Sequence, residues 1–463
     1  MLADASRVRD ALREAGWSSA ALDQLLGPGY RAHVDRGERA PLLRRTAGRS
    51  LLSRLARALV VGEPADTGLL PASWLGPDGR PLIRLQALAH GGVEVNLPHD
   101  PGQAGETVAE DQVLGAGAAS LTLAAATPRR PVGRALDLGC GQGVQAMLAE
   151  DHAGVVVATD RNPRAVAFTR LAAALAGAEV DGRVGDLLSP VAGEAFDLVV
   201  TNPPFVISPG RRYTYRDAGL EGDEVSRRLV QGIPPLLAPG GYAVLLVNWL
   251  HLAGEDGDAR VRSWFDGTGV DGWVVQRELA EPAEYVTAWL RDTDEAAFDA
   301  QFDEWVDALA GVDAVAFGVV ALHRRTDGLA PSVALDVVDQ PVAAAWGDEM
   351  VAHFARRALL EGDLLEARLR LRDDVRLHQV ASRAAEGWEV VSQVLQQEAG
   401  LRWGGGVDGY GATLLAACDG TVPLGALVGF LASSAGLPVE EMQADVVPVV
   451  RRLVEQGFLE PET

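Results

Sequence analysis

Between residues 101 and 330 the chain alternates short apolar runs with stretches whose apolar positions recur every three or four residues. Runs of four to eight apolar residues bounded by turn residues are expected as buried strands, and the 3.6-residue spacing between them as crossover helices. Strands are predicted at 134–138, 154–160, 182–186, 196–201 and 242–248. Two more, 272–279 and 314–323, flank a helical stretch near 284–291. Five strands separated by helices, followed by a terminal pair, predict an α/β fold. The predicted sheet has seven strands and is mostly parallel, with an antiparallel hairpin at its edge. Before it, 6–26 and 51–61 carry helical spacing. Breaks at 62–66 and 76–79 follow, and 81–97 reads as strands. After it, 346–372 and 375–398 read as helices and 404–409 as a glycine-rich break. The tail from 408 to 461 reads helix, Asp-Gly-Thr turn, helix, helix. The expected division is thus 1–100, 101–330 and 331–463, with mainly helical modules flanking the sheet domain.

Length agrees with two or three domains in 463 residues. No run of about 18 apolar residues occurs, so a membrane span is not expected. The first residues lack a signal-peptide core, and a cytoplasmic location is expected. Cys140 and Cys418 are the two cysteines, and the eight histidines show no ligand spacing, so neither a disulfide nor a metal site is expected. All 41 basic residues are arginine, and the net charge is −23, which disfavours bulk binding to nucleic acid, DNA included. Residues 1–60 depart from this, with 11 Arg against 6 acids. They form either a local basic surface or simply solvated helix faces.

The sharpest local signal is Leu136-Asp137-Leu138-Gly139-Cys140-Gly141-Gln142-Gly143, at the end of a predicted strand and the start of a helix. Glycines suit a sharp turn that must approach a ligand without a Cβ in the way, at a helix N-terminus with unpaired N–H groups. The next strand ends in Asp160, about twenty positions on, where a carboxylate can accept from ribose hydroxyls. The third ends in Gly185-Asp186-Leu187. Taken singly, each acid could equally be a helix cap or turn residue. The ordered set resembles class I S-adenosylmethionine-dependent methyltransferases, which have a Rossmann-like fold. Asp137, Gly139, Gly141 and Gly143 match their D-x-G-x-G-x-G pattern. The resemblance implies that Gly139, Cys140, Gly141 and Gly143 cradle the amino-acid half of the cofactor. It implies Asp160 at the ribose, Asp186 at the adenine, Asn162 and Leu187 among the cofactor-binding residues, and S-adenosylhomocysteine as product.

After the fourth strand comes Thr201-Asn202-Pro203-Pro204-Phe205. Two prolines hold such a loop in one shape at the carboxyl end of a central strand. The Asn202 side-chain oxygen and the Pro203 carbonyl can accept both hydrogens of an NH₂ group, and Phe205 can stack on a planar target. Asn202 also borders the expected cofactor site. The tetrad resembles the [N/D/S]-P-P-[Y/F/W] motif of amino-directed methyltransferases. With "GDLL" upstream, it is most similar to release-factor glutamine methyltransferases and small-domain RNA guanine methyltransferases, over roughly residues 110–250. Phe205 stands where the glutamine enzymes usually carry Tyr. Arg211, Arg212, Tyr213, Tyr215 and Arg216 are candidate substrate contacts on a following loop, and Trp249 is another after the fifth strand. The 111–123 segment is placed to cap the cofactor. The resemblance implies N-methylation of a protein or peptide-like substrate. RNA, a small molecule, or a non-catalytic cofactor-binding regulator remain alternatives. The C-terminal tail resembles winged-helix modules, particularly the small peptide-carrier type, and a winged-helix-like form is expected at the N-terminus as well. Homodimerisation through these flanks is a further expectation.

Overall fold

In the computed structural model the described residues are 1–102, 111–209, 222–290 and 295–462. They divide into two compact units, Met1–Ala124 with Arg129–Val337, and Ala125–Pro128 with Val338–Thr463.

The first unit opens with five helices: α1 (Ala5–Glu14), α2 (Ser19–Leu26), α3 (Tyr30–Asp35), α4 (Arg39–Arg45) and α5 (Leu51–Leu59). Ser18 and Ser50 cap α2 and α5, their hydroxyl oxygens accepting from Ala21 N and Ser53 N. A hairpin of β1 (Arg84–His90) and β2 (Val93–His99) follows. Its two-residue turn is Gly91-Gly92, both at positive φ, as a twist-matched tight turn requires. The sheet domain then runs α6 (Ala118–Ala126), β3 (Val132–Leu138), α7 (Val144–Ala149), β4 (Ala153–Asp160), α8 (Pro163–Ala176) and β5 (Asp181–Val184). It continues with β6 (Phe196–Thr201), α9 (Glu224–Gly232), β7 (Leu237–Leu252), α10 (Gly257–Ser263) and β8 (Asp271–Ala280). It ends with α11 (Pro282–Leu290), α12 (Glu295–Ala308), β9 (Val312–His323) and β10 (Val333–Val337). Leu22, Leu55, Leu59, Trp74 and Ile83 share one hydrophobic cluster with Phe168, Leu171 and Leu175 of α8. The first hundred residues and the sheet therefore have a continuous core.

The sheet has eight strands in the order β10-β8-β9-β7-β6-β3-β4-β5. The five strands β7, β6, β3, β4 and β5 are parallel, and β9 runs antiparallel to both β7 and β8. This is the mostly parallel α/β sheet expected, with one correction. Seven strands were expected with the β8–β9 pair at the edge, but β10 adds outside β8, in parallel. Its five residues are half-exposed and show no alternation, so periodicity does not report them. Their place is set by pairing and by Trp273 Nε1 donating to Asp336 Oδ2 at 2.9 Å.

The second unit contains α13 (Gly347–Leu360), β11 (Arg368–Leu371), β12 (Val375–Ala384), β13 (Gly387–Gln397) and β14 (Gly404–Gly406). It continues with α14 (Gly409–Ala417), β15 (Asp419–Pro423), α15 (Leu424–Ala435), α16 (Val439–Glu455) and β16 (Leu459–Pro461). Two three-stranded sheets form, β15-β11-β16 and β12-β13-β14. Leu369, Leu415, Val428, Val450, Val454 and Phe458 belong to its core. The helix expected over 375–398 is instead the β12–β13 hairpin. Val375, Val380, Val390, Val391 and Val394 favour extended backbone, and Gly387 at φ +139° allows the reversal. Likewise the helix expected over 346–372 stops at Leu360 and gives way to β11.

No helix among the described residues is long and apolar enough to cross a membrane. Cys140 and Cys418 are free, buried thiols.

Candidate functional site

Strand register brings the candidate residues to one level. Leu138 is paired with Thr159 on one side and with Thr201 on the other. The next residues, Gly139, Asp160 and Asn202, therefore emerge together from the carboxyl ends of three adjacent strands, about 4.8 Å apart. Thr201 Oγ1 donates to the Leu138 carbonyl at 2.7 Å, locking the starts of the two loops to each other.

The glycine turn is built from the backbone. Gly139, Gly141 and Gly143 all have positive φ (75°, 54° and 90°), a region costly to residues with a Cβ. Gly139 N and Cys140 N both donate to the Thr159 carbonyl, at 2.8 and 2.9 Å. A Cβ on Gly139 or Gly141 would have no atom within 4 Å, so both open onto free space. One on Gly143 would lie 2.9 Å from the Thr169 side chain and 3.1 Å from its Cα. Gly143 thus serves close packing of the turn on α8, whereas Gly139 and Gly141 leave a cradle that side chains would fill. Thr169, fully buried, donates to the Gly141 carbonyl at 3.1 Å.

The acids differ in environment. Asp137 is buried, and its Oδ2 accepts from Ala146 N at 2.9 Å, in the first turn of α7. Burial pushes its carboxyl up to about 7, against the lowering effect of that bond. Asp160 accepts from Gly141 N at 2.9 Å through Oδ2 and from Asn162 N at 2.8 Å through Oδ1. Burial raises its pKa too, and the two backbone bonds pull it back. A carboxylate has about four lone-pair sites, so each oxygen keeps one for a further donor such as a hydroxyl. Asn162 caps α8, its Oδ1 accepting from Arg164 N, while its Nδ2 donates to the Asp111 carbonyl. Asp186 lies two residues past the end of β5, exposed, with its carboxylate unengaged by described residues. Leu187 beside it sits at φ +44°, unusual for a branched side chain. Burial also raises the Cys140 thiol well above its ordinary value, so it is no ready nucleophile.

In the Asn202–Phe205 loop Asn202 is half-buried, and its amide has no partner among the described residues. Phe205 is buried and packs on Phe317 of β9, ring centroids 5.6 Å apart. Ile207 N donates to the Tyr285 hydroxyl oxygen at 2.9 Å. Trp249 is wholly buried in the core cluster that holds Val261 and Trp264. Arg211, Arg212, Tyr213, Tyr215 and Arg216 lie outside the described residues. No group of three or more His, Cys, Asp or Glu suited to a metal occurs among the described residues.

Sequence reasoning missed four supporting residues. Arg164 Nε bonds both Asp100 carboxylate oxygens, at 3.0 and 2.8 Å, and its Nη2 bonds Oδ1 as well. Asp100 also accepts from Val113 N, tying the hairpin, the segment before α6 and α8 together. The other two are Thr169 and Tyr285. A threonine inside a helical pattern and a lone tyrosine beyond β8 carry no motif that could have marked them.

The sequence comparisons agree with this geometry. Residues 114–249 match the family described as methyltransferase small domain. Residues 14–95 and 351–461 match two domains of unknown function, DUF7059 and DUF7782. The chain is similar to a ribosomal RNA small subunit methyltransferase C of Alcanivorax borkumensis, 36% identical over 118 residues, covering 25% of this chain and 32% of that protein. It is also similar to a release factor glutamine methyltransferase of Xylella fastidiosa, 32% identical over 143 residues, covering 26% and 52%. It thus spans between a third and about half the length of these relatives. A solved T. thermophilus 16S rRNA methyltransferase in complex with AdoMet and guanosine is 25% identical, covering 37% of this chain and 44% of that one, with a TM-score of 0.28. The family match over residues 114–249 spans the glycine turn, Asp160 and the Asn202–Phe205 loop, so this stretch is similar to a methyltransferase small domain.

Proposed function

We propose that this chain is an S-adenosylmethionine-dependent N-methyltransferase acting on a planar amino or amide nitrogen of a protein or peptide-like substrate. The carrying observation is the emergence of Gly139, Asp160 and Asn202 at one level on adjacent strands, with the Asn202 amide unengaged by the described residues. The residues fit the cofactor. Gly139 and Gly141 leave room for its amino-acid half, and Asp160 keeps an acceptor on each oxygen for a ribose diol. Asp186 stands exposed two residues past β5, with a carboxylate acceptor, free among the described residues, that would suit an adenine amine. When bound, the cofactor supplies a methyl group on a sulfonium, already a good leaving group.

The chain's own contribution is positioning. The Asn202 oxygen and the Pro203 carbonyl accept the two N–H groups of the target. That turns the nitrogen lone pair out of conjugation and toward the glycine cradle. Phe205, steadied by Phe317, walls the planar group. A protein-type target is supported by the glutamine methyltransferase relative and by the net charge of −23. The second reading is an RNA base. It is supported by Arg44, Arg45 and Arg49, exposed around the end of α4 without a carboxylate partner among the described residues. In both readings the flanking modules dock the target. The helix-strand-helix-helix-strand order from α14 to β16 supports a winged-helix-like form for the last of them.

The test is labelled cofactor with cell extract, followed by mass spectrometry of protein and RNA. Asn202→Ala is expected to keep cofactor affinity and lose about 10²-fold or more in turnover. Asp160→Ala is expected to lose cofactor affinity first. The opposite pattern overturns the roles, and label confined to RNA overturns the protein reading.

A further inference from the structure

We propose that Tyr285 is a positioning residue that latches the Asn202–Phe205 loop to the sheet through Ile207 and Asn248, an inference that rests on the reaction-loop reading above. Tyr285 lies on α11, inside the stretch that joins β8 to β9, and is buried. Its hydroxyl oxygen accepts from Ile207 N at 2.9 Å and from Asn248 Nδ2 at 3.2 Å. Two incoming hydrogens use both acceptor sites of a phenol oxygen. The oxygen is therefore held by one donor from the loop and one from a central strand.

Asn248 is placed to act as that anchor. The pairing of β6 with β7 ends at Thr201↔Leu245, so Asn248 lies three residues further, on the part of β7 that continues past the loop's departure. It is 1% exposed, and its Oδ1 is buried without a hydrogen-bond partner. Among the described contacts, the Tyr285 bond is the one that orients this amide. Asn248 is also the register partner of Phe317, the ring on which Phe205 packs. The loop is consequently fixed at three points: Thr201 on Leu138 at its start, Phe205 on Phe317, and Ile207 on Tyr285. Asn202 itself carries no such restraint among the described residues, so its aim is inherited from these neighbours. The two successive prolines transmit it, because their fixed φ leaves little slack between Asn202 and Phe205.

The consequence is a division of labour. Tyr285→Phe keeps the ring and its packing but leaves the Ile207 and Asn248 donors without their acceptor. In the 463-residue chain, amide hydrogen exchange over 202–209 is expected to quicken at least tenfold. Exchange over 139–146 and affinity for S-adenosylhomocysteine measured by calorimetry should stay within threefold of wild type. Label transfer to extract should fall about 10- to 100-fold, as a displaced reaction loop implies. Asn248→Leu removes one arm of the latch and should give part of the exchange effect. The double variant should be no worse than Tyr285→Phe alone, since both act through one oxygen. Should Tyr285→Phe unfold, Asn248→Leu carries the same test. Unchanged exchange over 202–209, or additive effects of the two substitutions, overturns the latch. Quickened exchange together with an Asn202→Ala variant that retains turnover leaves the latch standing and removes the reaction-loop reading instead.

Discussion

The two kinds of glycine in the turn can be separated by adding one methyl group to each. Gly143→Ala places a Cβ 2.9 Å from the Thr169 side chain and 3.1 Å from its Cα, at φ +90°. The backbone atom cannot swing aside, so the turn or α8 must move. Overpacking of this kind costs about 1–3 kcal/mol, and the left-handed backbone adds about 1–2 kcal/mol for a residue with a Cβ. Together they remove about 2–5 kcal/mol of stability, several degrees in Tm. Gly139→Ala shares the backbone cost, at φ +75°, but its Cβ meets nothing within 4 Å. Its stability loss should stay near 1–2 kcal/mol, while its methyl group enters the cradle. Thermal unfolding of the apoprotein and calorimetric titration with S-adenosylhomocysteine read the two effects separately. Gly143→Ala should show the larger drop in Tm. Gly139→Ala should show the larger loss of affinity per degree lost, at least tenfold, or about 1.4 kcal/mol. The reasoning is refuted if Gly139→Ala binds like wild type, since the open side of the turn would then face no ligand.

Two further outcomes follow from buried charge. Asp137 titrates near 7 in the folded chain against 3.8 as an ordinary aspartate. Below pH 4 both states are protonated, but as pH rises toward 7 the unfolded chain ionises first. The folded state then loses up to about 4 kcal/mol relative to it. Asp137→Asn keeps an oxygen for Ala146 N, so its stability relative to wild type should rise between pH 4 and 8; denaturant unfolding that shows no such pH-dependent difference contradicts the burial argument. Arg164→Ala leaves the buried Asp100 carboxylate with Val113 N as its remaining partner among the described residues. The arginine is partly exposed, so the loss should be about 1 kcal/mol. Arg164→Lys should not restore it, because a single ammonium cannot reproduce the forked contact, and full recovery in urea unfolding would show the contact to be incidental.

Much of the chemistry-bearing scaffold is legible from local signals alone. The five parallel strands appear as apolar runs, and the turn at 139–143 as glycines where the backbone indeed takes positive φ. The Asn-Pro-Pro-Phe loop is legible because proline restricts φ wherever it stands. These features are written within a few residues of chain. The half-exposed β10 and the ribbon of β12 and β13 are not legible as a period, because their burial shows little alternation, and the ribbon's valines become strands only through pairing. What the tertiary structure alone decided is relational. Leu138 pairs with Thr159 and Thr201, 21 and 63 residues away, which is why Gly139, Asp160 and Asn202 share a level. Tyr285 meets Ile207 across 78 residues, and Arg164 meets Asp100 across 64. Such contacts depend on which strands and helices become neighbours after the chain collapses, and no spacing along the sequence encodes that distance.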